Sequence, residues 1–354
     1  MPDGQSSVGT NESGLLMQYR KLGHDGPKVS ALGFGGWPMG GSRYGAKDDG
    51  EGISAVQCAL ETGVTLFDTA VAYGLGHSES ILGRALKNNW NDVVVVTKTG
   101  IVWEADRRIF VRDSRPASIR SQCEDSLRAL GTDRIDVYLI HWPDPDTPID
   151  ETMREMERLR TEGKIGYVGV SNFSTDQMDE ARKVLPIVAN QVGYHMLDRR
   201  HADKIIPYCA AQGIGVMAYG SLAHGVLTGT FDVNQQFADD DWRKPGYAFG
   251  LPLFHPDFLA DTLEAVDEIT SAARSADLTT AQMALRWVLN EPAVSTALVG
   301  FRNPSEVDLA VAAVEASLPY GVMDGPNAAT LDAYRRLRAA EQPQDSIGPG
   351  RRAN

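Results

Sequence analysis

Val64-Thr65-Leu66-Phe67-Asp68-Thr69-Ala70-Val71-Ala72-Tyr73-Gly74 is the stretch around which the rest of the chain is organised. Val64 to Phe67 is apolar, short and β-branched enough for a buried strand, and His77-Ser78-Glu79-Ser80 then opens a helix. Asp68 therefore closes a strand, and Tyr73 stands in the loop beyond it. Two further strands end in ionisable groups. Val93-Val94-Val95-Val96-Thr97 runs into Lys98, and Asp136-Val137-Tyr138-Leu139-Ile140 runs into His141. In a parallel β/α protein the strand ends share one face, so an acid, a phenol, an amine and an imidazole converge there.

The chemistry open to such a quartet follows from its ionisation. A free phenol has a pKa of about 10, and a neighbouring ammonium favours the phenolate and lowers that value. Lys98 is the expected neighbour, with Asp68 holding it charged. His141 is placed to donate a hydrogen bond to a carbonyl oxygen, and Tyr73 to protonate an alkoxide as it forms. Each residue alone has a plainer reading: Asp68 as a cap, Tyr73 as loop packing, His141 as a core histidine beside Trp142. Lys98 is harder to explain that way, because an amine closing a run of four valines is costly unless paired. The four together point to a site.

Outward from this stretch, strand and helix alternate regularly. Helices are expected near 50–62, 78–88, 116–130, 150–162, 175–184 and 202–212, between strands ending near Asp68, Lys98, His141, Ser171, Gln191 and Tyr219. Strands apolar on both faces need helices covering them, the mark of a parallel sheet. The expected fold is α/β, a (β/α)8 TIM barrel. Its first strand is Ala31 to Gly36 and its eighth is Ala297-Leu298-Val299. A hairpin formed by Gln18-Tyr19-Arg20 and Lys28-Val29-Ser30 should cap the bottom, residues 37–45 should form the first loop on the catalytic face, and extra C-terminal helices are expected near 256–275, 279–290 and 328–339. Residues 231–255 show no clear period, and a loop of that length in a compact domain is usually functional. The expected division is a disordered leader over 1–16, one barrel domain over 17–340 and a flexible tail over 341–354.

Gly33-Phe34-Gly35-Gly36-Trp37-Pro38 superficially resembles a dinucleotide-binding glycine motif, but Pro38 stands where the phosphate-binding helix should open and the spacing fails. The net charge of −13 argues against nucleic acid or an anionic membrane as partner. Cys58, Cys123 and Cys209 are widely spaced and odd in number, as in a reduced cytoplasmic protein, and none has metal-ligand spacing. Asp144 and Asp146 near His141 are splayed by prolines and read as loop and helix-start residues, so no metal is expected. The first sixteen residues lack the features of a secretory signal, and no apolar run is long enough to span a bilayer.

Phe67-Asp68-Thr69-Ala70, Tyr73-Gly74, Thr97-Lys98 and His141-Trp142-Pro143-Asp144-Pro145 together resemble the catalytic motifs of the aldo-keto reductases, with all four tetrad positions filled. The likeness extends through Gly169-Val170-Ser171-Asn172-Phe173, Asn190-Gln191, Tyr219-Gly220-Ser221-Leu222 and Val299-Gly300-Phe301-Arg302. It covers nearly everything from Gln18 to about Leu337 and is nearest to the bacterial general-stress and inositol-operon type. The resemblance implies a nicotinamide cofactor, NADP with NAD as the alternative. It places Gly36, Trp37, Ser171, Asn172, Gln191, Tyr219, Gly220, Ser221, Leu222, Gly225, Gly300 and Arg302 around that cofactor. Ser171, Asn172 and Gln191 would bind the carboxamide, Tyr219 would stack on the nicotinamide, and Arg302 would meet a 2′-phosphate. Where many relatives have a basic or amide residue six positions after the Gly, and then an acid-Asn pair, this chain has Glu306, Leu309 and Ala310. Arg243, in the long loop, has two readings, one closing over the pyrophosphate and the other, the expected one, a surface residue.

The expected activity is NAD(P)H-dependent reduction of an aldehyde or ketone, reversible toward a sugar, polyol or secondary alcohol. Trp37, Trp103, Trp142 and residues 242–254 would form the substrate wall. The expected partner is thus a small-molecule carbonyl or alcohol, and the chain a monomer or weak homo-oligomer. A Schiff-base aldolase built on Lys98 would leave Tyr73, Ser171-Asn172 and Tyr219 without roles. A regulatory subunit resembling the potassium-channel β subunits would not need a complete tetrad.

Overall fold

The computed structural model describes residues 7–10, 16–41, 48–342 and 349–351. Three strands come first, β1 (Ser7–Thr10), β2 (Leu16–Lys21) and β3 (Lys28–Ser30). The alternating part then runs β4 (Leu32–Gly35), α1 (Asp49–Glu61), β5 (Leu66–Asp68), α2 (His77–Leu86) and β6 (Val94–Thr99). It continues through a side hairpin of β7 (Ile101–Glu104) and β8 (Ile109–Arg112), then α3 (Pro116–Leu130), β9 (Ile135–Ile140), α4 (Ile149–Thr161), β10 (Ile165–Ser171) and α5 (Thr175–Arg182). After these come β11 (Ala189–Gly193), α6 (Ile205–Gln212), β12 (Gly215–Tyr219), α7 (Pro256–Ser275), α8 (Thr280–Leu289), β13 (Val294–Gly300), α9 (Pro304–Glu315) and α10 (Asp324–Ala339).

Strands β4, β5, β6, β9, β10, β11, β12 and β13 close into a barrel of parallel pairs, in which β13 meets β4 through Ala297 to Gly300 against Leu32 to Gly35. The expected (β/α)8 barrel is therefore what forms. Valine-rich strands supply side chains to both faces. Those pointing outward, with Val95, Tyr138 and Ile140 among them, pack under the helices, while Val96, Val137, Leu139 and Met217 fill the interior with Leu22 and Val29 of the β2–β3 hairpin. That hairpin plugs the end opposite the catalytic face. A further core, built on Met196, Leu197, Val226, Leu253 and Phe254, joins the segment after β12 to α7, α8 and α10.

One close approach positions the loop that carries Tyr73. Gly74 has φ +67°, and a Cβ there would lie 2.2 Å from the carbonyl oxygen of Gly40. The loop after β5 thus lies directly on the 3-10 turn at Trp37–Gly40.

Several expectations change. Residues 1–6 and 11–15 of the expected leader lie outside the described residues, but Ser7–Thr10 forms a strand, paired antiparallel along the open edge of β2. Residues 343–348 and 352–354 of the expected tail also lie outside. Gly350, however, pairs with β8: its N–H donates to Phe110 O and its carbonyl accepts from Arg112 N. Of the first catalytic-face loop, residues 42–47 lie outside. Helix α10 opens four residues before the expected start, and α9 and the β7–β8 hairpin are additions. Among the described residues, no helix is long and apolar enough to cross a membrane.

Candidate active site

Asp68 closes β5, Lys98 lies in β6, His141 follows β9, and Tyr73 comes from the loop over the Trp37 turn. The side chains meet. Lys98 Nζ donates to Asp68 Oδ1 at 2.6 Å, to the carbonyl oxygen of Thr69 at 2.9 Å and to Tyr73 Oη at 3.1 Å. The His141 ring stands edge-on to Tyr73, with centroids 5.8 Å apart. Lys98 has 0% of its surface exposed, so its charge relies on these partners.

Burial sets the ionisation of this group. It pushes the Asp68 carboxyl up and the Lys98 ammonium down, and their mutual contact opposes both shifts. Burial also holds the His141 imidazole well below its ordinary value, with the Lys98 charge adding to that, so His141 is neutral. Tyr73 is the correction. Instead of being lowered by Lys98, its pKa is raised well above the ordinary value, because burial disfavours the phenolate and the Asp68 charge adds to that. The phenol is protonated at neutral pH, the state a proton donor requires.

Gln191 lies in β11, across the barrel, and its Nε2 donates to Asp68 Oδ2 at 2.7 Å. The amide expected to face a cofactor is therefore committed to the acid of the tetrad. Ser171 Oγ donates to Gln191 O at 2.9 Å. Asn172 has φ +61°, a value tolerated by Asn, and its Nδ2 donates to His141 O and to Ser171 Oγ while its Oδ1 accepts from Tyr219 Oη at 3.0 Å. Ser171, Asn172 and Tyr219 thus form one chain of hydrogen bonds beside His141.

The remaining positions divide by cause. A Cβ on Gly36 would lie 2.8 Å from Ser78 Oγ, on Gly220 3.1 Å from the His224 ring, on Gly225 3.2 Å from Phe231 and on Gly300 2.8 Å from Pro38, so packing alone accounts for these glycines. Ser221 Oγ donates to Ala218 O, and Leu222 precedes a 3-10 stretch at Ala223–Thr228 in which His224 and Gly225 have positive φ. Arg243 is tucked against that stretch, bound to both oxygens of Asp241 and donating to His224 O at 3.3 Å. It is a seated cation, not the surface residue expected. Arg302 follows β13 and is held by Glu306, whose Oε1 accepts from Nε at 2.9 Å and from Nη2 at 2.5 Å.

Trp37 stacks near Tyr73 at 6.1 Å and contacts Trp242 at 5.1 Å and Phe249 at 6.2 Å. Phe249 also lies 5.2 Å from Tyr219. These rings make the wall around the mouth. Trp142 lies under the Arg112 guanidinium, and Trp103 packs on Phe110 out on the side hairpin, 40% exposed. Asp144 is a loop fastener: it accepts from Ser114 N, Thr147 Oγ1 and Asp146 N. His224 and the Gln191–Asp68 contact went unread in the sequence, and Phe249 is covered only as part of the 242–254 wall. Phe249 carries a signal only as an aromatic in an aperiodic stretch.

A model of the Aldo/keto reductase family matches residues 31–324, which takes in every strand of the barrel and all four tetrad residues. The chain belongs to the aldo/keto reductase family. It is 37% identical over 295 residues to aldo-keto reductase YhdN of Bacillus subtilis (strain 168), covering 82% of this chain and 87% of that protein. It is 33% identical to probable aldo-keto reductase 1 of Glycine max over 78% of each chain. The solved glycerol dehydrogenase AKR11B4 from Gluconobacter oxydans superposes with a TM-score of 0.78 at 37% identity, covering 93% of this chain and 98% of that one. The holo form of aldo-keto reductase AKR11C1 from Bacillus halodurans gives 0.69 at 27% identity over 92% and 97%. As a member of this family the chain is an NAD(P)-dependent oxidoreductase acting between carbonyl compounds and alcohols.

Proposed function

We propose that this aldo/keto reductase reduces an aldehyde or ketone with NADPH, NADH being accepted, and that Tyr73 is the proton donor. The observation that carries this is the Lys98 ammonium, hydrogen-bonded to both Asp68 and a half-buried Tyr73 that keeps its proton. A bound nicotinamide supplies hydride in reduction and takes it in oxidation. The chain fits such a group by its donor set: hydroxyl and amide groups of Ser171 and Asn172 next to the Tyr219 ring, and the Arg243 cation against the glycine-containing turn after β12.

The neutral His141 donates to the carbonyl oxygen and polarises it. Tyr73 passes its phenolic proton to the alkoxide oxygen as it forms, and the resulting phenolate is stabilised by Lys98, whose charge Asp68 and Gln191 hold in place. In the reverse direction Tyr73 is the base. The Lys98 amine has three partners and is poorly placed to attack a carbonyl as an aldolase would.

The wall of Trp37, Trp242 and Phe249 suits an apolar or ring-shaped carbonyl compound, and the same faces stack on sugars. That one relative is named a glycerol dehydrogenase supports the oxidative direction, on a sugar or polyol, as the second reading. Three unpaired cysteines support a cytoplasmic setting.

Tyr73→Phe keeps the ring and removes the proton. Steady-state reduction of a panel of aldehydes is expected to fall by roughly two to four orders of magnitude. NADPH affinity by fluorescence titration should stay within about twofold, since only a donor to the substrate is lost. A variant that still reduces at near wild-type rates means another group gives the proton.

A further inference from the structure

Behind the tetrad, on the outer face of the barrel, lies a second carboxylate. Thr97 and Lys98 are neighbours in β6, so their side chains leave opposite faces of the strand. Lys98 points inward to Asp68 and Tyr73, whereas Thr97 points outward and donates from Oγ1 to Glu79 Oε1 at 2.6 Å. Glu79 is in the first turn of α2 and has 0% of its surface exposed. Among the described residues its Oε2 has no aligned hydrogen-bond partner, and the buried hydroxyls of Thr99, Ser126 and Tyr138, which lie close to one another, have none either. Ser126 lies close enough to favour the charged carboxyl but is not aligned for a hydrogen bond. A carboxyl so placed is costly, and the cation nearest in charge is Lys98, one strand thickness away.

We propose that Glu79 is a positioning residue of the tetrad: a carboxylate that, from behind β6, holds Lys98 charged and so sets the pH range in which Tyr73 exchanges its proton. The inference rests on the reading of Tyr73 given above. The opening turn of α2 favours a negative charge at Glu79 through its free amide ends. Burial works the other way and raises its pKa. The groups facing it are few. From β6 they are Lys98 and the hydroxyl of Thr97; from α3, Ser126 and the exposed Asp125; from β9, Tyr138, which is itself flanked by Thr99 and Cys123. Burial pushes both Cys123 and Tyr138 up, so neither ionises near neutral pH, and Lys98 with Tyr73 remains the pair that responds to Glu79.

Glu79→Gln keeps the shape and an oxygen for Thr97 but removes the charge. Losing a nearby negative charge lowers the pKa of every acid beside it, so Lys98 and Tyr73 both move down. In the pH profile of kcat for alcohol oxidation, where Tyr73 is the base, both limbs are expected to shift to lower pH by about 0.5–1.5 units. Cofactor affinity should stay within about twofold. Glu79→Asp keeps the charge and is expected to restore the wild-type limbs. Thr97→Val removes only the hydrogen bond and should lower the melting temperature without moving the profile. Superimposable profiles for Glu79→Gln and wild type overturn the proposal. If Glu79→Gln does not fold, infrared spectra decide: a protonated-carboxyl band present in the wild type at neutral pH, and shifted in Glu79→Asp, overturns it, and its absence upholds it. Activity retained in Tyr73→Phe sinks the tetrad reading itself, whereas an inert Tyr73→Phe with an unmoved Glu79→Gln profile sinks only this inference.

Discussion

Arg302 and Glu306 show how one side chain can offset another's function. The guanidinium at the end of β13 is a charge-assisted donor suited to a phosphate, but Glu306 Oε1 occupies Nε and Nη2, and Oε2 takes the Arg302 backbone N–H. A phosphate bound there would share the guanidinium with Glu306, leaving two negative groups close together. Glu306→Gln is therefore expected to tighten NADPH by about tenfold while leaving NADH nearly unchanged, and Arg302→Ala to weaken NADPH selectively. Titration of tryptophan quenching with each nucleotide measures both; equal effects on the two nucleotides would remove this pair from the phosphate site. Residues of this kind are legible in a sequence to different degrees. Asp68, Lys98 and His141 can be read because each terminates or follows an apolar run whose end the fold places on one face. The Gln191–Asp68 contact links residues 123 positions apart on opposite sides of the barrel, and only the closed geometry reveals it. The rise in the Tyr73 pKa is hidden for a similar reason, since burial depends on what packs over the ring.

At the scale of elements, what the sequence hid were turns made without glycine and a helix read as something else. The β7–β8 hairpin turns through Arg108 at φ +53°, a left-handed residue with a Cβ, so Asp106 is the one usual turn residue that marks it and no glycine does. Helix α9 does carry signals, an Asn303 cap, Pro304 at its first position and Val307, Val311 and Val314 at helical spacing. These were obscured because the same residues fall in the stretch after β13 that is read for phosphate contacts. The segment after β12 has no period because it is fastened by polar contacts. Arg200 Nη1 donates to Phe249 O at 2.7 Å and to Glu341 Oε1 at 2.6 Å, its Nε and Nη2 bind Asp198, and Gln342 N donates to Gly250 O. The end of α10 thereby holds the loop that places Phe249 on Tyr219. Arg200 is 11% exposed, and Asp198 and Glu341 are 5% exposed, so Arg200→Gln takes the bidentate cation from buried Asp198 and leaves Glu341 to Arg338 alone. The expected cost is about 3–5 kcal/mol in urea unfolding. Amide exchange should accelerate first in residues 246–251, and unchanged exchange there would show that the loop does not depend on this clamp.

Across the whole molecule, the loops over the catalytic end of the barrel shield His195 almost wholly and His141, His201 and His224 in part, and this sets how the fold responds to acid. His141, His195, His201 and His224 are all held below the ordinary imidazole value by burial, His195 to about 4 and His224 to about 3. In the unfolded chain each takes up a proton near pH ~6.5. A base whose folded pKa is depressed contributes stability that is complete above the unfolded value and is lost as pH falls from there toward the folded one. Each such group adds about 1.4 kcal/mol of lost stability per pH unit once its unfolded form is protonated, so the three held furthest down, His141, His195 and His224, together approach roughly 4 kcal/mol per unit. The carboxylates act lower or with opposite sign. Asp198 and Glu162 are depressed and lose their contribution only below the ordinary carboxylate range, while Asp68, Glu79 and Asp136 are raised and bind protons in the native state first. The window from about pH 6.5 down to 5 therefore belongs mainly to the histidines, with the raised carboxylates blunting the slope at its lower end. Urea midpoints taken at half-unit steps are expected to be flat above pH 7 and to fall steadily below 6.5. A midpoint unchanged down to pH 5 would mean these rings are not buried neutral, and the neutral His141 on which carbonyl polarisation depends would have to be abandoned with them.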